Sequence, residues 1–290
     1  MSSYPSKVLL FGEHIVNLGA EALAIPYPAF YAKLSFDNLH SDFIPDSPAI
    51  LDLIYTYIAA NKKLQGVFDL SAFRDDLDKS LGFHMNIPIG YGLGSSGALT
   101  AAIFERYATD LSLNEEQLKI ILGETESFFH GKSSGLDPLV SYVNQGVWLG
   151  KECKLLEQDL IWRNDFEIFL LNTKKSRKTG PLVESFLKRV ESDEGFARMV
   201  NESIIPINNS IIRNFLNNDH EETLALIEQL SKLQIQHFKE LILPEHIDLF
   251  LLGLASKEYF LKICGAGGGG FMLGFTRNKD VKLPFEVIWV

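Results

Sequence analysis

The chain has 290 residues, 46% hydrophobic and 22% charged, the make-up of a globular protein with one large domain or two moderate ones. Its net charge of −10 argues against a general nucleic-acid or anionic-membrane surface, since both need basic footprints, and leaves room for a local basic pocket. Cys153 and Cys264 form neither a metal-type pair nor a disulfide framework, which suits a reducing cytoplasm. The first residues lack the apolar core of a signal peptide, and no apolar run reaches the roughly 20 residues that span a bilayer.

Residues 7–11 (KVLLF) read as a short buried strand ending at Gly12, so Glu13 and His14 stand at a strand end. A second run, 22–25, is expected to stop at Pro26 and Pro28, and 29–36 (AFYAKLSF) reads as a separate strand. Residues 48–63 place Ile50, Leu51, Ile54, Tyr57 and Ile58 at helical spacing, and 81–87 (LGFHMNI) reads as a strand.

That strand feeds the stretch Gly90-Tyr91-Gly92-Leu93-Gly94-Ser95-Ser96-Gly97. Alternating glycines let backbone N–H groups converge, and the helix predicted over 95–108 adds unpaired donors and partial positive charge behind them. The combination is a phosphate cradle. It is not the common P-loop, because no lysine follows the last glycine. Asn114 reads as the N-cap of a further helix, with Glu115 and Glu116 in its first turn and Gln117 completing a capping box. This helix runs to about His130 and puts Glu126 on the same face as Leu118 and Leu122, so an inward carboxylate needs a partner: a salt bridge, a hydrogen bond or a metal ion. Residues 131–135 break the helix, Asp137-Pro138 opens another, and 146–150 reads as a strand.

From 152 to 165 the pattern loses its period, and the domain boundary is placed there, giving units of 1–160 and 161–290. Residues 166–172 read as a strand, 181–256 as several helical pieces, and 258–264 and 271–275 as strands around a second glycine loop, Gly265-Ala266-Gly267-Gly268-Gly269-Gly270. Five glycines in six positions imply a backbone need, such as close approach to a ligand or positive φ. The order of elements indicates an α+β fold.

Several residues carry two readings. Asp137 is either an N-cap before Pro138 or a general base or orienting carboxylate on a glycine-rich bend. Lys7 is either an ordinary strand lysine or a charge aimed at a phosphate or an attacking hydroxyl. His14 is either a satisfied loop histidine or a ligand contact. Lys174, Lys175, Arg177 and Lys178 form the densest positive patch of an acidic chain, either a solvated loop or a clamp for an anion, for which Arg177 has bidentate geometry. Glu126 with a loop serine suits magnesium, which takes one or two carboxylates together with phosphates and water.

Three segments in this order resemble the motifs of the GHMP kinase superfamily: Lys7-Val-Leu-Leu-Phe-Gly12-Glu13-His14, Pro88 through Ala98, and Lys262-Ile-Cys-Gly-Ala-Gly-Gly-Gly-Gly270. Two more resemble its mevalonate kinase branch: Glu126-Ser-Phe-Phe-His130-Gly131-Lys132-Ser133-Ser134-Gly135-Leu136-Asp137, and Asn172 through Thr179 followed by Leu182-Val183. The chain departs from the pattern at Ser6 (usually glycine), Gly97 (commonly alanine) and Cys264 (usually threonine or serine).

The resemblance implies a ribosomal-protein-S5-like N-terminal domain and a ferredoxin-like C-terminal domain, with ATP and substrate in the cleft between them. It implies Asp137 as catalytic base with Lys7 beside the reacting hydroxyl. Gly90, Gly92, Leu93, Gly94, Ser95, Ser96 and Gly97 would hold the ATP phosphates, and Ser96 and Glu126 would hold Mg2+. Glu13, His14, Arg177 and Thr179 would meet the substrate, beside the second loop of Gly265, Ala266, Gly267 and Gly268. The implied reaction is ATP-dependent phosphorylation of a small alcohol, with a carboxylate such as mevalonate first. The alternatives are another GHMP substrate (phosphomevalonate, homoserine or a sugar) and a non-catalytic nucleotide-binding regulator. A cytoplasmic monomer or homodimer, with no nucleic-acid or membrane partner, completes the expectation.

Overall fold

The computed structural model describes residues 1–157, 165–177 and 179–290. Two antiparallel sheets organise them. The first is built from β1 (Tyr4–Phe11), β2 (Ala22–Ser35), β3 (Gly82–Met85), β4 (Gly146–Leu149) and β5 (Cys153–Leu156). Its order is β1-β2-β4-β5, with β3 on the far end of β2. The second joins β6 (Glu167–Asn172), β7 (Tyr259–Ile263), β8 (Phe271–Thr276) and β9 (Val287–Trp289) in the order β7-β8-β6-β9. This is the expected α+β class.

The helices near the first sheet are α1 (Ser47–Ala60), α2 (Leu70–Asp78), α3 (Ser95–Tyr107), α4 (Glu115–His130) and α5 (Leu136–Val143). Asn114 caps α4 through the expected box: its side chain accepts from Gln117 N at 3.0 Å, and its own N–H donates to Gln117 Oε1 at 3.1 Å. Among the later helices are α6 (Thr179–Ser192), α7 (Glu194–Met199), α8 (Ile205–Leu216), α9 (His220–His237) and α10 (Pro244–Ser256). A π-turn over Val200–Ile204 carries α7 into α8. Phe11 joins the two sheets, lying 5.7 Å from Phe275 in a stacked pair and 6.1 Å from Phe215 of α8. No helix among the described residues is long and apolar enough to cross a membrane.

Two expectations need correction. The two runs separated by Pro26 and Pro28 are one strand, β2, that passes through both prolines. The register against β1 jumps from Pro5↔Tyr31 to Ser6↔Tyr27, so Pro28 sits in a bulge outside the ladder. Pro26 pairs with Lys7 where β2 has no second neighbour, β4 reaching only Ala24 and β3 starting at Ala32. Such an open flank tolerates a residue with no N–H. Ser6 also finds its reason here: buried at the bulge, its hydroxyl donates to Tyr27 O at 2.8 Å. The second correction concerns 152–165, which opens not with irregular chain but with β5, a hairpin partner of β4. Residues 158–164, which hold the expected boundary, lie outside the described residues.

Candidate active site

The first glycine loop folds as the sequence requires. Gly90, Gly92 and Gly94 have φ of 80°, 84° and 73°. Gly94 precedes α3, and no side chain caps that helix; the first intrahelical bond runs from Ala98 N to Gly94 O. The N–H groups of Ser95, Ser96 and Gly97 are therefore left for an anion. Leu93 serves through its backbone, its carbonyl accepting from Lys7 N at 2.9 Å while its side chain is buried.

Lys7 projects from β1 beneath this loop and meets Asp137, Nζ to Oδ2 at 3.0 Å; their side chains are 5% and 31% exposed. The glycines permit this approach. A Cβ on Gly94 would stand 2.9 Å from Lys7 Cγ, and one on Gly97 would stand 2.8 Å from the carbonyl carbon of Asp137. The departure at Gly97 thus lets α3 and α5 touch backbone to backbone. Asp137 is not an N-cap: Gly135 holds that position, and Asp137 lies within the first turn of α5. Its carboxylate is thus paired with Lys7 rather than committed to a cap.

Glu126 faces inward as its spacing predicts and is buried. Ser96 Oγ donates to its Oε1 at 2.8 Å, and Ser133 Oγ donates to its Oε2 at 2.5 Å. Since the Ser96 proton goes to Glu126, His130 Nε2, 3.0 Å away, donates to Ser96. Burial pushes the Glu126 carboxyl up, and the Asp137 charge pushes the same way; the two serine hydroxyls pull against them. The donor set fits magnesium. An inward carboxylate and a hydroxyl sit at a helix N-terminus, and among the described residues no cluster of three or more His, Cys, Asp or Glu offers a metal cage. A metal here would share its coordination with phosphates, as magnesium does.

The remaining expected site residues gather around the second glycine loop. The Glu13 carboxylate forms an ion pair with Lys262 of β7, both side chains nearly sealed from solvent at 4% and 0% exposure. Burial pushes the Glu13 carboxyl up, and Lys262 pulls it down. Lys262 also donates to Ile263 O at 2.8 Å. His14 Nε2 donates to Ala266 O at 3.0 Å, and its ring packs on Phe186 at 4.9 Å. The Nδ1 atom is buried without a partner. A small cavity beside these groups is lined by Glu13, His14, Ile204, Asn208, Gln234 and Phe238, among others.

Arg177 bolts the two glycine loops together. Its Nε donates to Gly269 O at 3.1 Å and its Nη2 to Cys264 O at 3.0 Å, while Gly90 O accepts from its backbone N at 3.2 Å. A Cβ on Gly92 would fall 2.6 Å from Nη2. Only Nη1 of this guanidinium is buried without a partner. The positive patch is therefore not a free cluster: Arg177 is tied to carbonyls, Lys175 pairs with Glu245, and Lys174 is exposed. Lys178 lies outside the described residues; Thr179 opens α6. Gly265, Gly267 and Gly268 have positive φ, and Gly268 N donates to Leu241 O at 2.6 Å.

Sequence reasoning gave no role to Lys262, Ser133 or His130. Lys262 carried a signal, since a lysine inside the apolar run YFLKI must find an acid if the strand is buried. Ser133 and His130 carried none beyond their nearness to Glu126.

His14 makes the fold acid-sensitive. Burial, with Arg177 and Lys262 nearby, lowers its pKa to about 4. The unfolded chain takes up this proton first, so the stability due to neutral His14 is complete above about 6.5 and is lost as pH falls toward the folded value. His14→Asn, which tolerates the φ of 63°, is expected to flatten the fall in melting temperature across this window, an effect on the order of 3 kcal/mol. Thermal melts of both proteins from acid to neutral pH measure it.

The chain is similar to known kinases in sequence and in fold. Residues 55–145 match the model of the GHMP kinases N terminal domain. Mevalonate kinase of Pyrococcus horikoshii is 28% identical over 99% of this chain and 92% of its own length. That of Archaeoglobus fulgidus is 25% identical over 99% and 96%. The crystal structure of L. major mevalonate kinase in complex with R-mevalonate superposes with a TM-score of 0.64 at 17% identity, covering 96% of this chain and 87% of that one, a likeness of fold. With the motifs, the matched domain and the shared fold in agreement, the chain carries a GHMP kinases N terminal domain and is mevalonate-kinase-like, an enzyme that transfers phosphate from ATP to an alcohol.

Proposed function

We propose that this kinase phosphorylates the primary hydroxyl of mevalonate in the cytoplasm, in a cleft between an N-terminal unit (1–160) and a C-terminal unit (161–290). The observation that carries the chemistry is the Lys7–Asp137 pair at 3.0 Å, set against the open N-terminus of α3. The naming of relatives as mevalonate kinases along nearly their whole length supports the substrate.

The loop N–H groups receive the triphosphate. Asp137 accepts or orients the proton of the alcohol, and Lys7 stabilises negative charge on the same oxygen. Ser96 and Glu126 hold magnesium, which when bound neutralises phosphate charge. Arg177, locked through Nε and Nη2, keeps Nη1 for the substrate anion, and Glu13, His14 and Thr179 are the further substrate contacts of this reading. The contribution is mainly positioning and charge neutralisation.

A coupled ADP-release assay over mevalonate, phosphomevalonate, homoserine and galactose tests the proposal. Mevalonate is expected to exceed the others by at least about 100-fold in kcat/KM, the discrimination a site with buried polar contacts provides. Preference for another alcohol would reassign the substrate. ATP binding with no substrate-stimulated ADP release would point to a regulator instead.

A further inference from the structure

Glu126 is held from two sides, and only one side belongs to the phosphate loop. Ser96, from α3, occupies Oε1. The donor to Oε2 is Ser133, in the turn between α4 and α5. That turn is wired internally. Ser133 N donates to Ser127 Oγ at 3.2 Å, and Ser127 Oγ donates to Gly123 O at 2.8 Å, fixing Ser133 to the body of α4. Ser133 Oγ also accepts from Gly135 N at 3.0 Å. Gly135 is the N-cap of α5, the helix whose first turn holds Asp137. It has no room to shift toward α4, because a Cβ there would meet Lys119 O at 2.0 Å. One hydroxyl thus touches both the inward carboxylate and the start of the helix bearing the base.

We infer that Ser133 is a positioning residue that fixes the rotation of the Glu126 carboxylate for magnesium and ties it to the α5 N-terminus. The inference rests on the proposed role of Glu126 as a magnesium ligand. A carboxylate with one donor can turn about its terminal bond, which is a broad, two-fold torsion. A second donor on the other oxygen removes that freedom, as partners behind metal ligands do, where their loss costs 10–100-fold in metal affinity. Removing the Ser133 hydroxyl also leaves Oε2 buried with no donor, and a metal would then have to hold a carboxylate free to turn.

The test is titration calorimetry of a non-hydrolysable ATP analogue, with Mg2+ and with the metal chelated away, on the wild type, Ser133→Ala and Ser133→Thr. In the wild type Mg2+ is expected to tighten binding of the analogue. Ser133→Ala is expected to cut that metal-dependent gain about tenfold while metal-free binding stays within about twofold, and Ser133→Thr, which keeps the hydroxyl, to retain the gain within about threefold. Should Ser133→Ala fail to fold, Ser133→Cys, near in size with a weak donor, is read in the same titration and is expected to lose the gain. An unchanged gain in Ser133→Ala overturns the inference and leaves the role of Glu126 standing. So does an equal loss of metal-free binding, or equal impairment of the alanine and threonine variants. If Mg2+ gives the wild type no gain at all, the metal role of Glu126 falls and this inference falls with it.

Discussion

Asp137→Asn is expected to lower kcat by about 10²–10⁴-fold, the range that a positioned general base contributes, while the protein stays folded and still binds nucleotide. The expectation follows from where α5 begins. Had Asp137 capped the helix, its replacement would be a question of stability; Gly135 caps instead, and no side-chain cap bond is lost. Asparagine has nearly the same shape and keeps an oxygen for Lys7, whose ammonium is almost sealed at 5% exposure. It cannot take a proton from an alcohol. Steady-state turnover, nucleotide titration and a thermal melt on one preparation separate the effects. Near-normal turnover would remove Asp137 from the chemistry, and loss of folding would make it structural.

The largest effect on stability is expected from Lys262→Met. Lys262 and Glu13 form a buried ion pair, 0% and 4% exposed, that links β7 to the chain just after β1. Removing one partner of such a pair strands the other charge, at a cost of about 3–5 kcal/mol. The double variant Glu13→Gln with Lys262→Met is expected to recover a large part of that loss, since no carboxylate is then left buried alone. Urea denaturation of wild type, single and double variants measures the cycle. A loss below about 1 kcal/mol in Lys262→Met would mean that water reaches Glu13 freely, contrary to its enclosure. The pair also stands beside the second glycine loop, which begins three residues beyond Lys262.

Local patterns carried much of the fold. The helices α3, α4 and α5 and the strands β3, β4, β6, β7 and β8 follow from spacing, caps and alternating or continuous apolar runs. What failed was non-local. Pro26 and Pro28 break a strand only if its ladder is continuous, and the bulge that absorbs Pro28 depends on Ser6 and Tyr27, distant in sequence. α2 and β9 went unseen; β9 is a strand through its pairing with β6. In the candidate site, Ser96 and Glu126 stood out because a glycine-rich turn and an inward carboxylate are costly without a use, whereas for Lys7 and Asp137 the residues left two readings each and the proposed roles came from the resemblance. Arg177 was legible as a binding group and illegible as a bolt, since the carbonyls of Cys264 and Gly269 that hold it are far along the chain. The same separation hid the partner of Glu13.

The most direct test of the account is a crystal structure of the enzyme with Mg2+, a non-hydrolysable ATP analogue and mevalonate. The triphosphate is expected on the N–H groups of residues 94–97, with the metal on Ser96 and Glu126. The mevalonate primary hydroxyl is expected within hydrogen-bond distance of Asp137 and beside Lys7. Phosphates bound elsewhere, or an alcohol out of reach of Asp137, would contradict it.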